Sequence, residues 1–225
     1  MNVLTDEIEE RKNMRMTLGI LLTSMAAWAQ AIPIASLETK KLDATAATYQ
    51  GKQATCLSDR EGGGGLALLK GSVFKNGVIE VELAGKPSAG AFAGARGFVG
   101  IAFRAQSDGS KYECIYLRPT NGRADDMERR NHSTQYISER DWPWDRLRKE
   151  SPGVYESYVD LEAGAWTRYK IVVKGTRAEL YVHDAAQPCL IVKDLKLGDV
   201  AGAVALWVGP GTDAFFTNLK ITPMP

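Results

Sequence analysis

Gly97-Phe98-Val99-Gly100-Ile101-Ala102-Phe103-Arg104, followed by Tyr112-Glu113-Cys114-Ile115-Tyr116-Leu117-Arg118, is the stretch that decides the fold. Side chains along a strand point alternately to its two faces. In the first segment Val99, Ile101 and Phe103 share one face, and Phe98, Gly100, Ala102 and Arg104 share the other. Ser107-Asp108-Gly109-Ser110 has the composition of a turn. Beyond it, Ile115 and Leu117 continue the apolar face, while Tyr112, Cys114, Tyr116 and Arg118 lie opposite. The pair predicts an antiparallel hairpin with one face in a core and a second face that mixes small, aromatic and cationic residues.

Working outward, the same period recurs. Ile79, Val81 and Leu83 alternate with Glu80 and Glu82. Further strands are predicted over 154–161, 166–174, 178–183, 202–208 and 214–221, with Lys174-Gly175-Thr176-Arg177 as a hairpin turn. Gly62-Gly63-Gly64-Gly65 lacks the Lys-Ser/Thr and the helix of a phosphate loop, and predicts a flexible hairpin tip. No helical pattern of useful length intervenes, so the fold class is all-β, a sandwich or barrel.

Composition agrees. The 225 residues are 44% hydrophobic and 24% charged, which excludes a disordered chain. Lys+Arg 28 against Asp+Glu 27 leaves a formal charge of +1, without the basic excess of a nucleic-acid binder. Two His and three scattered Cys argue against a transition-metal site. Cys56, Cys114 and Cys189 leave at least one thiol unpaired, and Cys114, mid-strand, is expected to be a buried small residue.

Residues 1–31 have the pattern of a signal peptide. Leu18 to Ala27 is a short apolar run after Arg11, Lys12 and Arg15, and Ala27-Trp28-Ala29 and Ala29-Gln30-Ala31 are small-x-small cleavage sites. The acidic Asp6, Glu7, Glu9 and Glu10 do not suit such a leader, which places the true start at Met14 or Met16. The alternative is an uncleaved anchor. Cleavage would leave a secreted or periplasmic chain starting at Gln30 or Ile32, with no membrane contact thereafter and a single domain over 32–225.

Pro119 to Pro152 shows no clear strand alternation, and so long a loop is uncommon inside a compact domain. Its Trp142, Trp144 and Tyr136 stand among balanced Arg and carboxylates, which predicts one long ordered loop pinned by Arg–carboxylate pairs. It either walls a binding site or covers a sheet edge.

These segments, in order, resemble the concanavalin A-like lectin/glucanase superfamily. Phe74 to Glu82 resembles its early strand and 97–118 its central hairpin. Trp166-Thr167-Arg168-Tyr169-Lys170-Ile171-Val172-Val173 with Ala178-Glu179-Leu180-Tyr181-Val182 is similar to a later hairpin. Gly202 to Val208 with Ala214 to Ile221 is similar to the closing strands, so the likeness runs from Leu42 to Ile221. It implies a jelly-roll sandwich of two antiparallel sheets, akin to laminin-G-like and 3-keto-disaccharide hydrolase-like secreted domains, with a carbohydrate on the concave sheet. The Glu-x-Asp-x-x-Glu strand of family 16 glucanases is missing, so hydrolase activity does not transfer with the fold.

The expected ligand-binding residues are Arg104, Tyr112, Tyr116, Arg118 and Trp207 on one sheet face, with Asn131, His132, Trp142 and Trp144 from the long loop. Aromatic faces stack on sugar rings, while Arg, Asn and Tyr hydrogen-bond hydroxyls. Because Trp207 and Arg118 lie off the inner core, losing either should weaken binding and spare stability. The rival function is a glycoside hydrolase or lyase acting on a modified sugar, drawing on Glu82, His132 and Glu156, with Glu156 able to reach the face of Glu80 and Glu82. His183 is expected at the surface. Gly209-Pro210-Gly211-Thr212-Asp213 is a tight turn that in some laminin-G-like domains would hold Ca²⁺; no other cofactor is expected. The oligomeric state stays open.

Overall fold

The computed structural model describes residues 29–59 and 61–225. The apolar run of the leader lies outside the described residues. Gln30 and Ile32 lie inside them: Gln30 exchanges hydrogen bonds with Asn218, and the carbonyl of Ile32 accepts from Thr55 Oγ1.

Two antiparallel seven-stranded sheets face each other. In the first, the order is β1 (Leu37–Lys40), β4 (Gly65–Leu69), β13 (Ala203–Val208), β6 (Val99–Ala105), β7 (Tyr112–Leu117), β8 (Thr134–Glu139) and β9 (Glu156–Ser157). The second runs β12 (Leu190–Val192), β11 (Arg177–Val182), β10 (Thr167–Lys174), β5 (Gly77–Pro87), β14 (Thr212–Pro223), β3 (Lys52–Asp59) and β2 (Leu42–Tyr49). This is an all-β jelly-roll sandwich, and it starts before Leu42, because β1 edges the first sheet.

The core lies between the sheets, where period-2 alternation puts it. Val99, Ile101, Phe103, Ile115, Leu117 and Leu206 from the first sheet meet Ile79, Leu83, Ile171, Leu180 and Phe216 from the second, all fully buried. Tyr169 crosses the gap and donates its hydroxyl to the Ile115 carbonyl at 2.6 Å, which gives a buried phenol its partner. The hairpin turn at Gly175-Thr176 is as expected, with Lys174 paired to Arg177 and Gly175 at φ 56°.

Three expectations need correction. First, 119–152 is not one loop. It contributes β8 to the first sheet, between β7 and the edge strand β9, a helix α1 (Met127–Asn131) and a helix α2 (Trp144–Glu150). Its ion pairs are present, as Arg146–Glu150, Arg148–Glu156 and Arg123 to Asp160 and Glu162. Second, Gly62 to Gly65 is not a hairpin tip: β3 and β4 belong to different sheets, so this run crosses between them. Third, 154–161 pairs only at Glu156–Ser157, since β9 is the sheet edge and the chain then turns to offer Asp160 and Glu162 to Arg123.

A bulge in β6 also changes one side chain's address. Between the pairs Ala102↔Ala205 and Ala105↔Ala203, β6 has Phe103 and Arg104 against Val204 alone. The extra residue shifts the alternation by one. Arg104, at φ 54°, therefore leaves the outer face and is 1% exposed. Its guanidinium donates to the carbonyls of Lys75, Gly175 and Gly198, tying three connections at one end of the sandwich.

Candidate functional site

The outer face of the first sheet opens into a cleft of about 780 Å³. Registers fix its floor. Trp207 pairs with Gly100, Gly100 with Tyr116, and Tyr116 with Gln135, so these four share the outer face. β13 and β7 both neighbour β6, which puts their axes about 9–10 Å apart. Yet the Tyr116 and Trp207 ring centroids are 4.5 Å apart, with planes at 27°. Both rings lean over β6, and only a residue without a side chain leaves them that space. Trp207 also donates from Nε1 to the Tyr112 hydroxyl at 3.2 Å, and Phe98 meets Tyr116 edge-on at 6.1 Å.

One end of the cleft is cationic. Arg118 follows β7 directly and is 6% exposed. It donates to the Tyr116 hydroxyl at 2.9 Å and to the His132 carbonyl at 3.3 Å, and it lies under the Trp144 ring at 5.7 Å. Asn121 also donates to the His132 carbonyl, at 3.1 Å, and accepts from Arg129 at 3.4 Å. Arg96 enters from the β5–β6 connection and donates to the carbonyls of Ala93 and Ala95. Burial, with the charges of Arg129 and Arg118, holds Arg96 below its ordinary pKa.

His132 closes α1 and approaches Glu156 at 3.3 Å. Arg148 holds the same carboxylate through both oxygens, at 2.6 to 3.1 Å. Burial, with Arg148 and Arg118 adding to it and Glu156 opposing, keeps the imidazole below its usual range, so it is neutral near pH 7. Burial raises the Glu139 carboxyl at the other end of β8.

The structure brings Tyr112, Tyr116, Arg118, His132, Trp144 and Trp207 to this cleft, with Glu156 behind His132. It places four expected residues elsewhere. Arg104 is the buried tie described above. Asn131 is an exposed residue at the end of α1, and Asn121 supplies the amide instead. Trp142 turns off the cleft and is covered by Arg146 at 3.8 Å and Lys196 at 4.6 Å. Glu82 sits on the outer face of the second sheet, bound by Lys52 and Asn218, so it and Glu156 face away from each other across the sandwich.

Arg96, Arg129, Asn121 and Phe92 also line the cleft, and no local sequence pattern singles them out. Their loops meet only in three dimensions.

Trp207 and Arg118 are 9% and 6% exposed, so both are packing residues as well, and removing either should cost stability, contrary to the expectation from strand phase. The aromatic surface still open to solvent at the cleft belongs to Trp144 and Phe92, at 46% and 55%.

The remaining candidates have structural partners. Asp213 accepts from the Ser58 and Ser88 hydroxyls, and Asp59 takes the Gly211 N–H. Among the described residues no cluster of three or more metal-ligating side chains occurs. Cys56, Cys114 and Cys189 are free thiols, and Cys114 is fully buried. His183 bonds the Asp160 carbonyl outside the cleft.

No protein-family profile and no curated protein matches the chain. Solved structures do. The carbohydrate-binding module CBM66 from Bacillus subtilis aligns at TM-score 0.55 and 14% identity, over 82% of this chain and 93% of that one. A protein of unknown function with a galectin-like fold, also from Bacillus subtilis, aligns at 0.52 and 11%, over 84% and 89%. What they share with this chain is the antiparallel jelly-roll sandwich. A native glycosidic hydrolase shares it at 0.50 and 14% identity, over 86% of this chain and 93% of that one. At such identities the likeness is one of fold, and the cleft residues must carry the chemistry.

The ring stack generates a prediction. A Cβ on Gly100 would lie 2.6 Å from the Cα and Cβ of Tyr116 and 2.3 Å from the Ile115 carbonyl oxygen. Overpacking of this kind costs about 1–3 kcal/mol. Gly100→Ala should lose that much stability in urea titrations and weaken the near-UV circular dichroism of the Tyr116–Trp207 pair. A variant with unchanged stability and spectrum would show that the stack does not depend on this glycine.

Proposed function

We propose that this protein is an exported, lectin-like carbohydrate-binding domain, and that the cleft on the first sheet holds the glycan. The observation that carries the reading is the pairing of surfaces there. Trp144, with Arg118 and Arg148 against its ring, and Phe92 keep exposed aromatic surface, and buried Arg118 and Asn121 stand beside them as fixed donors. Sugars present apolar ring faces and polar rims, and this arrangement matches both. The fold, shared with a carbohydrate-binding module, supports it.

A hydrolase or lyase has one observation in its favour, the His132–Glu156 contact. The carboxyl geometry weighs against it. Glycosidases need two carboxyl groups roughly 5–10 Å apart. Glu139 pairs with Tyr112, and Glu156 with Gln135, so they stand four residues apart along β8, about 13 Å. Glu156 is moreover held at both oxygens by Arg148.

A glycan array tests the proposal, with reducing-end release measured on the same panel to expose turnover. Trp144→Ala should weaken binding about 2- to 12-fold, the worth of one aromatic stacking contact. Stability should fall by less than about 1 kcal/mol, because Trp144 is half exposed. An intact Trp144→Ala protein with undiminished glycan affinity, or a panel that yields no ligand, would refute the proposal.

Export rests on the leader pattern at 18–31. Among the described residues no helix is long and apolar enough to cross a membrane. N-terminal sequencing of exported protein should begin at Gln30 or Ile32. Retention of Met1 or Met14 would contradict the proposed cleavage.

A further inference from the structure

Arg96, Arg118 and Arg129 meet at one end of the cleft, and among the described residues none has a carboxylate within ion-pair distance. Their protein partners are the carbonyls of Ala93, Ala95 and His132, the Tyr116 hydroxyl and the Asn121 amide. By contrast, Arg148 has Glu156, Arg104 has Asp199 and Arg177 has Glu179 within ion-pair distance. The chain as a whole is almost neutral, 28 cationic against 27 anionic residues, so the excess is local to the cleft.

A guanidinium keeps its charge at any physiological pH, and burying it without a counter-charge is costly. Three together add mutual repulsion, which is felt at Arg96. Arg129 Nε is in addition buried with no hydrogen-bond partner at all. A neutral sugar would leave the charge uncompensated. An oxyanion would satisfy it, because a guanidinium fork can pair with two oxygens of a planar carboxylate or of a tetrahedral sulfate.

Accepting that the cleft binds a glycan, we infer that the glycan is anionic and that its carboxylate or sulfate group lodges among Arg96, Arg118 and Arg129. The neighbouring Trp144 takes the ring face. The shared chemistry is a charged substituent on a sugar, supplied either by a uronic acid or by a sulfate ester.

Titration calorimetry at low and moderate salt tests this with four probes: an oligouronate, the same oligosaccharide with its carboxyls reduced to alcohols, a sulfated oligosaccharide, and a polyaspartate peptide. Binding of the oligouronate or of the sulfated glycan, at least tenfold tighter than the carboxyl-reduced one and weaker at higher salt, is the expected result. Whichever of the two binds identifies the source of the charge. Arg129→Gln should cost the preferred anionic glycan roughly 10- to 150-fold, the worth of a hydrogen bond to a charged group. Its unchanged circular dichroism would verify folding, and Arg129→Lys, which keeps the charge but loses the fork, should fall between.

Equal affinity for the oligouronate and its reduced form would overturn the inference and leave glycan binding standing. Polyaspartate bound as tightly as any glycan, or no glycan bound at all, would overturn both.

Discussion

The candidate site depends on a missing side chain. Strands β13 and β7 lie on either side of β6, too far apart for side chains that stand upright on the sheet to meet. Trp207 and Tyr116 stack because Gly100 stands between them and leaves the groove open. That contact fixes the rest of the floor. It sets the Tyr116 hydroxyl where Arg118 donates to it, and Arg118 in turn reaches the His132 carbonyl that Asn121 also holds. The chain of contacts runs from a glycine in the centre of a sheet to the cationic end of the cleft.

The two sheets divide the work. The second closes the core, and its outer face is stitched by short-range contacts such as Tyr49 on Phe215 and Lys52 with Glu82. The first carries the cleft, and its walls are made from the longest insertion in the chain. Pairs such as Arg148–Glu156 and Arg123–Asp160 fasten that insertion to the sheet edge. At the opposite end Arg104 ties three connections and Glu113 accepts from Tyr136 and Leu197, so the buried charges there serve the scaffold. The cleft arginines lack such partners, which is why the two groups of cations read so differently.

The sandwich was legible where one face of a strand is apolar and the other is not. Val99, Ile101 and Phe103 in β6 and Ile79, Val81 and Leu83 in β5 announced their faces by period alone. β8 was not legible, because both its faces are buried and both carry polar groups: Tyr136 and Ser138 inward, Gln135 and Glu139 outward. β4 and β2 were missed for lack of contrast, one nearly all Leu and Ala, the other largely Ala and Thr. Arg104 was misplaced because a bulge is an insertion of one residue, and strict alternation cannot foresee it. Of the site, the floor on β7 and β13 could be read from phase. The cationic end could not, since Arg96, Asn121 and Arg129 come from separate connections with no shared local pattern.

In the proposed complex the sugar lies in the cleft between Trp207 and Trp144. The most direct measurement follows the indole N–H resonances of the protein by two-dimensional NMR during titration with a bound oligosaccharide. Trp144 and Trp207 line the cleft, Trp142 lies off it, and Trp166 belongs to the second sheet beside Tyr49. The Trp144 and Trp207 signals should move together and saturate at one ligand concentration, with Trp142 and Trp166 unmoved. Movement of Trp166 while Trp144 and Trp207 stay fixed would place the glycan on the other sheet and contradict the account.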